Sequence, residues 1–249
     1  HKGISYFVWP MDLPGIEIRP ITEITGGHTF NEVFFTDVRI PAENLVGDLN
    51  DGWRLAKVTL GNERVSLSTG GVRWGNGPTA LEAIESIRAA HPSGVTDPHA
   101  RQRIAEVYIE HTLLDLIRLR TLTAALKGEQ PGPEASIRKI LADEHGQHVM
   151  SLVRDMIGAH GMLTGGDGSE VFVPGTDTKG LGPDKPDGGL MHAGWYDGFM
   201  FSQALTIGGG TGDVQRNIVA ERVLGLPHDV NVTAGMSWAE AQRAAGRAS

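Results

Sequence analysis

The sequence predicts an α+β fold, a short antiparallel β region followed by an antiparallel helical bundle, and three observations carry that reading. Before Asp51 the apolar residues come in short β-branched runs. From Asp51 onward they recur at helical spacing instead. The 34 glycines and 13 prolines gather in the segments between the periodic stretches, where chain reversals are needed.

The elements follow in order. Residues 4–8 and 16–20 read as strands joined by the turn PMDLPG, and 30–40 reads as a third strand, with Pro41, Asn44 and Gly47 closing the sheet region. Asp51 suits an N-cap for a helix over 52–73. A smaller helix over 78–90 opens on Pro78 at a first-turn position, where a missing N–H costs least. Long helices are expected at 98–127 and 133–162, then shorter ones at 193–206 and 213–223. The segment 163–192, loaded with Gly, Asp and Pro, is expected to be a long surface loop, and the closing residues AQRAAGRAS a frayed tail.

Composition narrows the function. With 249 residues and 40% apolar types the chain can bury a core, and without cysteine it has no disulfide, thiolate nucleophile or Cys-ligated metal. That usage fits a reducing, cytoplasmic setting. The 22 basic and 30 acidic side chains give a net charge of −8, which disfavours duplex nucleic acid as a partner. Neither a membrane span nor a secretory signal is visible. The chain opens at His1 directly into strand-like sequence and is expected to be the tail of a longer polypeptide.

Glu63 is the most informative single residue. Trp53, Ala56, Leu60 and Leu67 trace one apolar stripe on the helix that starts near Asp51, and Glu63 falls on it. A carboxylate aimed inward has its pKa raised toward the range of a general base. The same position also suits a structural ion pair with Arg64 or Arg73. A second feature is the run Ile207-Gly208-Gly209-Gly210-Thr211-Gly212 before the last short helix, which lets backbone amides approach a carbonyl or phosphate oxygen, or serves simply as a turn. It lacks the lysine of a Walker loop. Gly158, Ala159 and Gly161 at the end of a long helix suit either helix termination or close approach of a bulky ligand. His145 and His148 with Glu144 lack the spacing of a zinc motif, so no metal is expected; His111 reads as a packed or interfacial histidine, and Asn231 as an unused glycosylation triplet.

Together these segments resemble the acyl-CoA dehydrogenase family, over its C-terminal two-thirds. The resemblance rests on TGGHTFNEVFFTDVRIPAENLVG at Thr25 to Gly47, similar to the last β-domain strand and hinge; on DGWRLAKVTLGNERVSLSTGG, similar to the first helix of the C-terminal bundle; and on GGGTGDVQRNIVAERVLG, similar to the closing flavin-binding turn. It implies residues 1–47 as the end of the middle β-domain, 48–227 as the bundle and 228–249 as a tail, with the N-terminal helical domain absent from this chain. It also implies FAD as cofactor, an acyl-CoA substrate oxidised to the trans-2-enoyl-CoA, electron-transfer flavoprotein as electron acceptor, and a dimer of dimers.

Residue by residue, the family's base occupies one of two places. The closing-turn place is Gly209 here, which cannot take a proton; the helix place matches Glu63. The Gly209 amide matches the donor to the thioester carbonyl, Thr211 and Asp213 match flavin-contacting positions, and Gly158, Ala159 and Gly161 match the turn that reaches a neighbouring subunit's flavin. Departures stand beside these matches. Asp155 replaces a glutamine and sets a carboxylate near the expected phosphates, Ala159 replaces a glycine, and VRWGNGPTALEA replaces the family's Arg-x-x-Phe-Gly. Such departures resemble actinobacterial relatives that degrade steroid side chains and assemble from two unlike chains. Two other readings stay open: a non-catalytic partner chain of such an assembly, and a helical interaction module without activity.

Overall fold

The structure is a computed structural model that describes residues 3–28, 30–67, 78–129, 132–133, 135–159, 194–230 and 232–246, with the side chains of 63–67 and 194 outside the description. Among the described residues four short strands come first, β1 (Tyr6–Phe7), β2 (Ile16–Pro20), β3 (Asn31–Phe35) and β4 (Leu45–Val46). They pair antiparallel as β1 with β4 and β2 with β3, the second pair in register from Ile16 opposite Phe35 to Pro20 opposite Asn31. The helices follow: α1 (Gly52–Leu67), α2 (Ala80–Ala90), α3 (Pro98–Leu126), α4 (Ala135–Ile157), α5 (Gly194–Ser202), α6 (Gly212–Ile218) and α7 (Trp238–Ala244). A π-helical turn, Val219–Val223, extends α6. No helix among the described residues is long and apolar enough to cross a membrane.

Helix α4 is the hub of the bundle, packed against α1, α2, α3, α5 and α6. Its Val149, Met150, Leu152, Val153 and Ile157 meet Ala80, Ala83 and Ile87 of α2, Val107 of α3 and Trp195 of α5 in one core. Full burial of each large apolar side chain there is worth about 1.5–3 kcal/mol. Helix starts are fixed by side chains. In α2, Thr79 accepts from the Glu82 amide while Glu82 reaches back to the Thr79 amide. In α3, Asp97 caps the amides of His99 and Ala100 with Pro98 just inside.

Several expectations change in detail. Pro78 stands before the Thr79 cap rather than within the first turn of α2, because the capping box sets the start. The third strand ends at Phe35, since Asp37 turns the chain with φ 51° and Leu45–Val46 then returns to pair with β1. The β region thus still closes by Gly47, as expected, but with a fourth strand, Leu45–Val46, in it. Helix α1 is described to Leu67, α4 ends at Ile157 and α5 at Ser202. The tail expected to fray carries α7, held by the Ser237–Glu240 capping box although it buries no residue. Loop 163–192, Gly161, Arg73 and Asn231 lie outside the described residues.

The β region is stitched to the start of α1. The Gly52 amide donates to the Ile4 carbonyl at 2.8 Å, and the Asn50 amide to Ser5 Oγ at 2.9 Å. A Cβ at Gly52 would fall 2.6 Å from the Ser5 backbone carbon, so only glycine lets strand and helix approach this closely.

Candidate active site at the glycine turn

Residues 203–212 form a glycine-rich turn seated on α4 and leading into α6. Its carbonyls are taken by buried or half-buried donors from the helices beneath. Lys139 of α4 donates to the Leu205 carbonyl at 3.2 Å, and Gln147 reaches Thr206 Oγ1 in the turn at 3.5 Å and, just before it, the Ser202 carbonyl at the end of α5 at 3.2 Å. Gln215 of α6, 1% exposed, donates to the Gly209 and Gly210 carbonyls at 3.1 and 3.4 Å. Gly209 and Gly210 have φ of 66° and 96°, a left-handed region that favours glycine, and a Cβ at Gly210 would collide with the Gln215 amide. Among the described residues, the amide N–H groups of Gly209, Gly210 and Thr211 meet no acceptor.

Thr211 caps α6 by accepting from the Val214 amide at 3.3 Å, which leaves its hydroxyl hydrogen free to donate outward. Asp213 is 95% exposed, 3.6 Å from Arg216, whose guanidinium also pairs with Glu144 and ties α6 to α4. The turn therefore offers several donors and few acceptors on its outer side, a set that fits carbonyl, hydroxyl or phosphate oxygens. That is the kind of group a flavin cofactor and an acyl thioester would present.

Position 63 lies on α1, which packs on the same α4, but the Glu63 and Arg64 side chains are outside the described residues. The apolar stripe expected to carry Glu63 inward is not covered: Trp53 is 36% exposed and Leu60 50%. Among the described residues α1 packs substantially only on β1 and α4, and neither covers this face. Burial that would lift a carboxyl pKa is therefore not supplied around the first turns of α1 by the described part of the chain.

At the far end of α4, Gly158 has φ of 64°, nothing among the described residues lies within 4 Å of where its Cβ would be, and both Gly158 and Ala159 are exposed. Gly158 thus ends the helix, as its left-handed φ suits. Asp155 is less of an obstacle to phosphate than its charge suggests. Burial pushes its carboxyl up, but hydrogen bonds from Arg154 and Arg103, at 2.6 and 2.7 Å, hold it below the usual carboxylate range. Two guanidiniums thus offset one carboxylate at this end, one of them stacked on Phe199 at 4.2 Å.

Four groups escaped the sequence reading. Glu110 of α3 accepts from His145 Nδ1 at 2.9 Å and His148 Nδ1 at 2.7 Å, so those histidines join α4 to α3. Burial pushes the Glu110 carboxyl up, and the two imidazoles outweigh it to bring the carboxyl below its usual range. No cluster among the described residues could hold a metal ion. His111 stacks on His145 at 6.3 Å, as a packed histidine would. Lys139 and Asp143 form a buried ion pair, and Gln147 and Gln215 grip the turn. The pair was readable: Ile157, Val153, Met150 and Gly146 mark a buried stripe whose continuation lands on Asp143 and Lys139. Gln147 and Gln215 carry no comparable periodic signal.

Comparison with known proteins agrees with this architecture. The chain is 35% identical over 228 residues to acyl-CoA dehydrogenase FadE34 of Mycobacterium tuberculosis, covering 91% of this chain and 27% of that protein. It is 35% identical over 229 residues to acyl-CoA dehydrogenase IpdE1 of the same organism, covering 92% of this chain and 52% of that one. The chain thus spans between a quarter and about half of the curated relatives' length. The solved structure of the "Tcur3481-Tcur3483 steroid ACAD" superposes with a TM-score of 0.72 at 24% identity, over 92% of this chain and 53% of that one, a likeness of fold. Residues 50–224 match the acyl-CoA dehydrogenase C-terminal domain, and the chain belongs to the acyl-CoA dehydrogenase family.

Proposed function

We propose that this chain supplies the C-terminal part of an FAD-dependent acyl-CoA dehydrogenase that converts an acyl-CoA thioester to its trans-2-enoyl-CoA. The observation that carries the reading is the turn at 207–212, whose carbonyls are gripped from behind while the amides of Gly209, Gly210 and Thr211 have no acceptor among the described residues. Those amides are donors placed for an oxygen that gains negative charge.

In this reading Glu63 on α1 takes the proton from the carbon next to the thioester carbonyl. The electron pair left behind is delocalised onto the carbonyl oxygen, which the Gly209 amide stabilises. Thr211 and Asp213 would hold FAD from this chain, and Gly158, Ala159 and Gly161 would reach the FAD of a neighbouring subunit. Bound there, FAD would supply the redox capacity, as acceptor of the β-hydrogen with its electron pair, so that loss of one proton and one hydride leaves a C=C bond. Gly209 itself cannot act as base, which leaves α1 as the place for one. Electron-transfer flavoprotein is the proposed electron acceptor, and the proposed setting is cytoplasmic.

The test is Glu63→Gln in the flavin-loaded enzyme. Turnover is expected to fall by at least ~10²-fold, the scale of a lost general base, with the visible flavin absorption unchanged. Undiminished turnover overturns the assignment of the base. A second reading, a non-catalytic partner in an assembly of unlike chains, draws on the departures at Asp155 and Ala159 from the flavin-contacting pattern. It predicts that Glu63→Gln leaves turnover of the reconstituted assembly intact and that flavin is bound at fewer than one per chain.

A further inference from the structure

We infer that Gln215 is a positioning residue for the substrate carbonyl: by holding two successive peptide groups of the glycine turn, it presents the amides of Gly210 and Thr211, beside that of Gly209, to the oxygen that becomes the enolate. The inference rests on the functional reading above and adds to it both the residue that sets the donors and the second and third donors themselves.

The geometry follows from peptide planarity. All described peptide bonds are trans, and in a trans peptide the carbonyl and the following N–H point to opposite sides. Drawing the Gly209 carbonyl to Gln215 Nε2 at 3.1 Å therefore turns the Gly210 N–H away from α6, and holding the Gly210 carbonyl at 3.4 Å does the same for the Thr211 N–H. Neither N–H has an acceptor among the described residues. The Gln215 amide is committed to this orientation. Its Oε1 is buried with no donor among the described residues, yet a flip would set that oxygen against two carbonyl oxygens, which is worse than leaving it unpaired. Gly210 belongs to the same device, because its missing Cβ is the space the Gln215 amide occupies.

Three measurements on the holoenzyme, assembled from the full chain with any subunit that co-purifies, test the inference. The first is the carbonyl stretch of a bound non-reacting acyl-CoA thioester by Raman difference spectroscopy. It is expected at lower frequency than in water for the wild type, and closer to the water value in Gln215→Met and Gln215→Glu, the latter keeping the shape while losing the donor. A wild-type carbonyl at its water value overturns the functional reading itself. A lowered wild-type carbonyl that both variants leave unmoved overturns the role of Gln215 alone. The second is the kinetic split. Loss of donors that matter most in the enolate lowers kcat by ~10–10²-fold with a smaller change in KM, whereas equal kcat in both variants counts against the inference. The third needs no variant: amide exchange in wild type should slow at Gly210 and Thr211 as well as Gly209 when the thioester binds, and slowing confined to Gly209 overturns the added donors.

Discussion

Lys139 and Asp143 show what a single buried pair contributes beneath a site. Burial pushes the Asp143 carboxyl up to about 6 even though Lys139 donates to it, so desolvation outweighs the ion pair. The sign of the pH dependence follows. Between its ordinary value of 3.8 and about 6, the folded chain holds this proton and the unfolded chain does not. The contribution of Asp143 to stability is thus fully present below 3.8 and is lost as pH rises through about 6. Glu110 and Asp155, held low by their partners, act in the opposite sense: their contributions are present above the ordinary carboxylate range and are lost as pH falls below it. Asp143→Asn should remove the first slope, so that its melting temperature gains on wild type between about pH 4 and about pH 7. Asp143→Ala, which strands the Lys139 ammonium, should cost about 3–5 kcal/mol in urea unfolding, and an apolar replacement of both partners should recover most of it. Equal losses in the single and the double variant would argue that the ammonium finds another partner.

The elements were legible where a cap or a periodic face announces them. Asp97 with Pro98 marks the start of α3, and the strand pattern at 16–20 gives β2 with the bounds observed. The start of α2 was misplaced because Pro78 draws the eye, whereas Thr79 and Glu82 form the reciprocal bonds that fix it. Thr79→Ala should therefore destabilise by about 1 kcal/mol, seen as a lower urea midpoint with an unchanged slope. Helix α7 was missed for a different reason: it buries nothing, so no apolar period exists to read, and its Ser237 capping box is a local signal easily passed over. Spacing alone places the stripe on α1 inward. Spacing states which residues share a face and not what covers it, and Trp53 and Leu60 remain exposed. Of the candidate site, the glycine turn and the position of residue 63 on α1 were readable because they carry composition and order; the side chains gripping the turn from behind depend on contacts between segments far apart in sequence, such as Lys139 with Leu205.

For the whole molecule, α3 is the telling element. Of its residues only Val107 is buried, while Ile109, Leu113, Leu116, Leu119, Leu122 and Leu126 are exposed on the isolated chain. An apolar surface of this extent is what a subunit contact would cover, and it supports the proposed oligomer. Leu116→Glu combined with Leu119→Glu should lower the sedimenting mass of the assembly while leaving far-UV circular dichroism unchanged. An unaltered mass would place the subunit contact elsewhere. The seam at Gly52 bears on the same scale. Because the root of α1 rests on the backbone of Ser5 with no room for even a methyl group, the β1–β4 pair and the bundle share a common foundation. A cut placed between them, however natural it looks along the sequence, would unmoor the rod on which residue 63 is mounted.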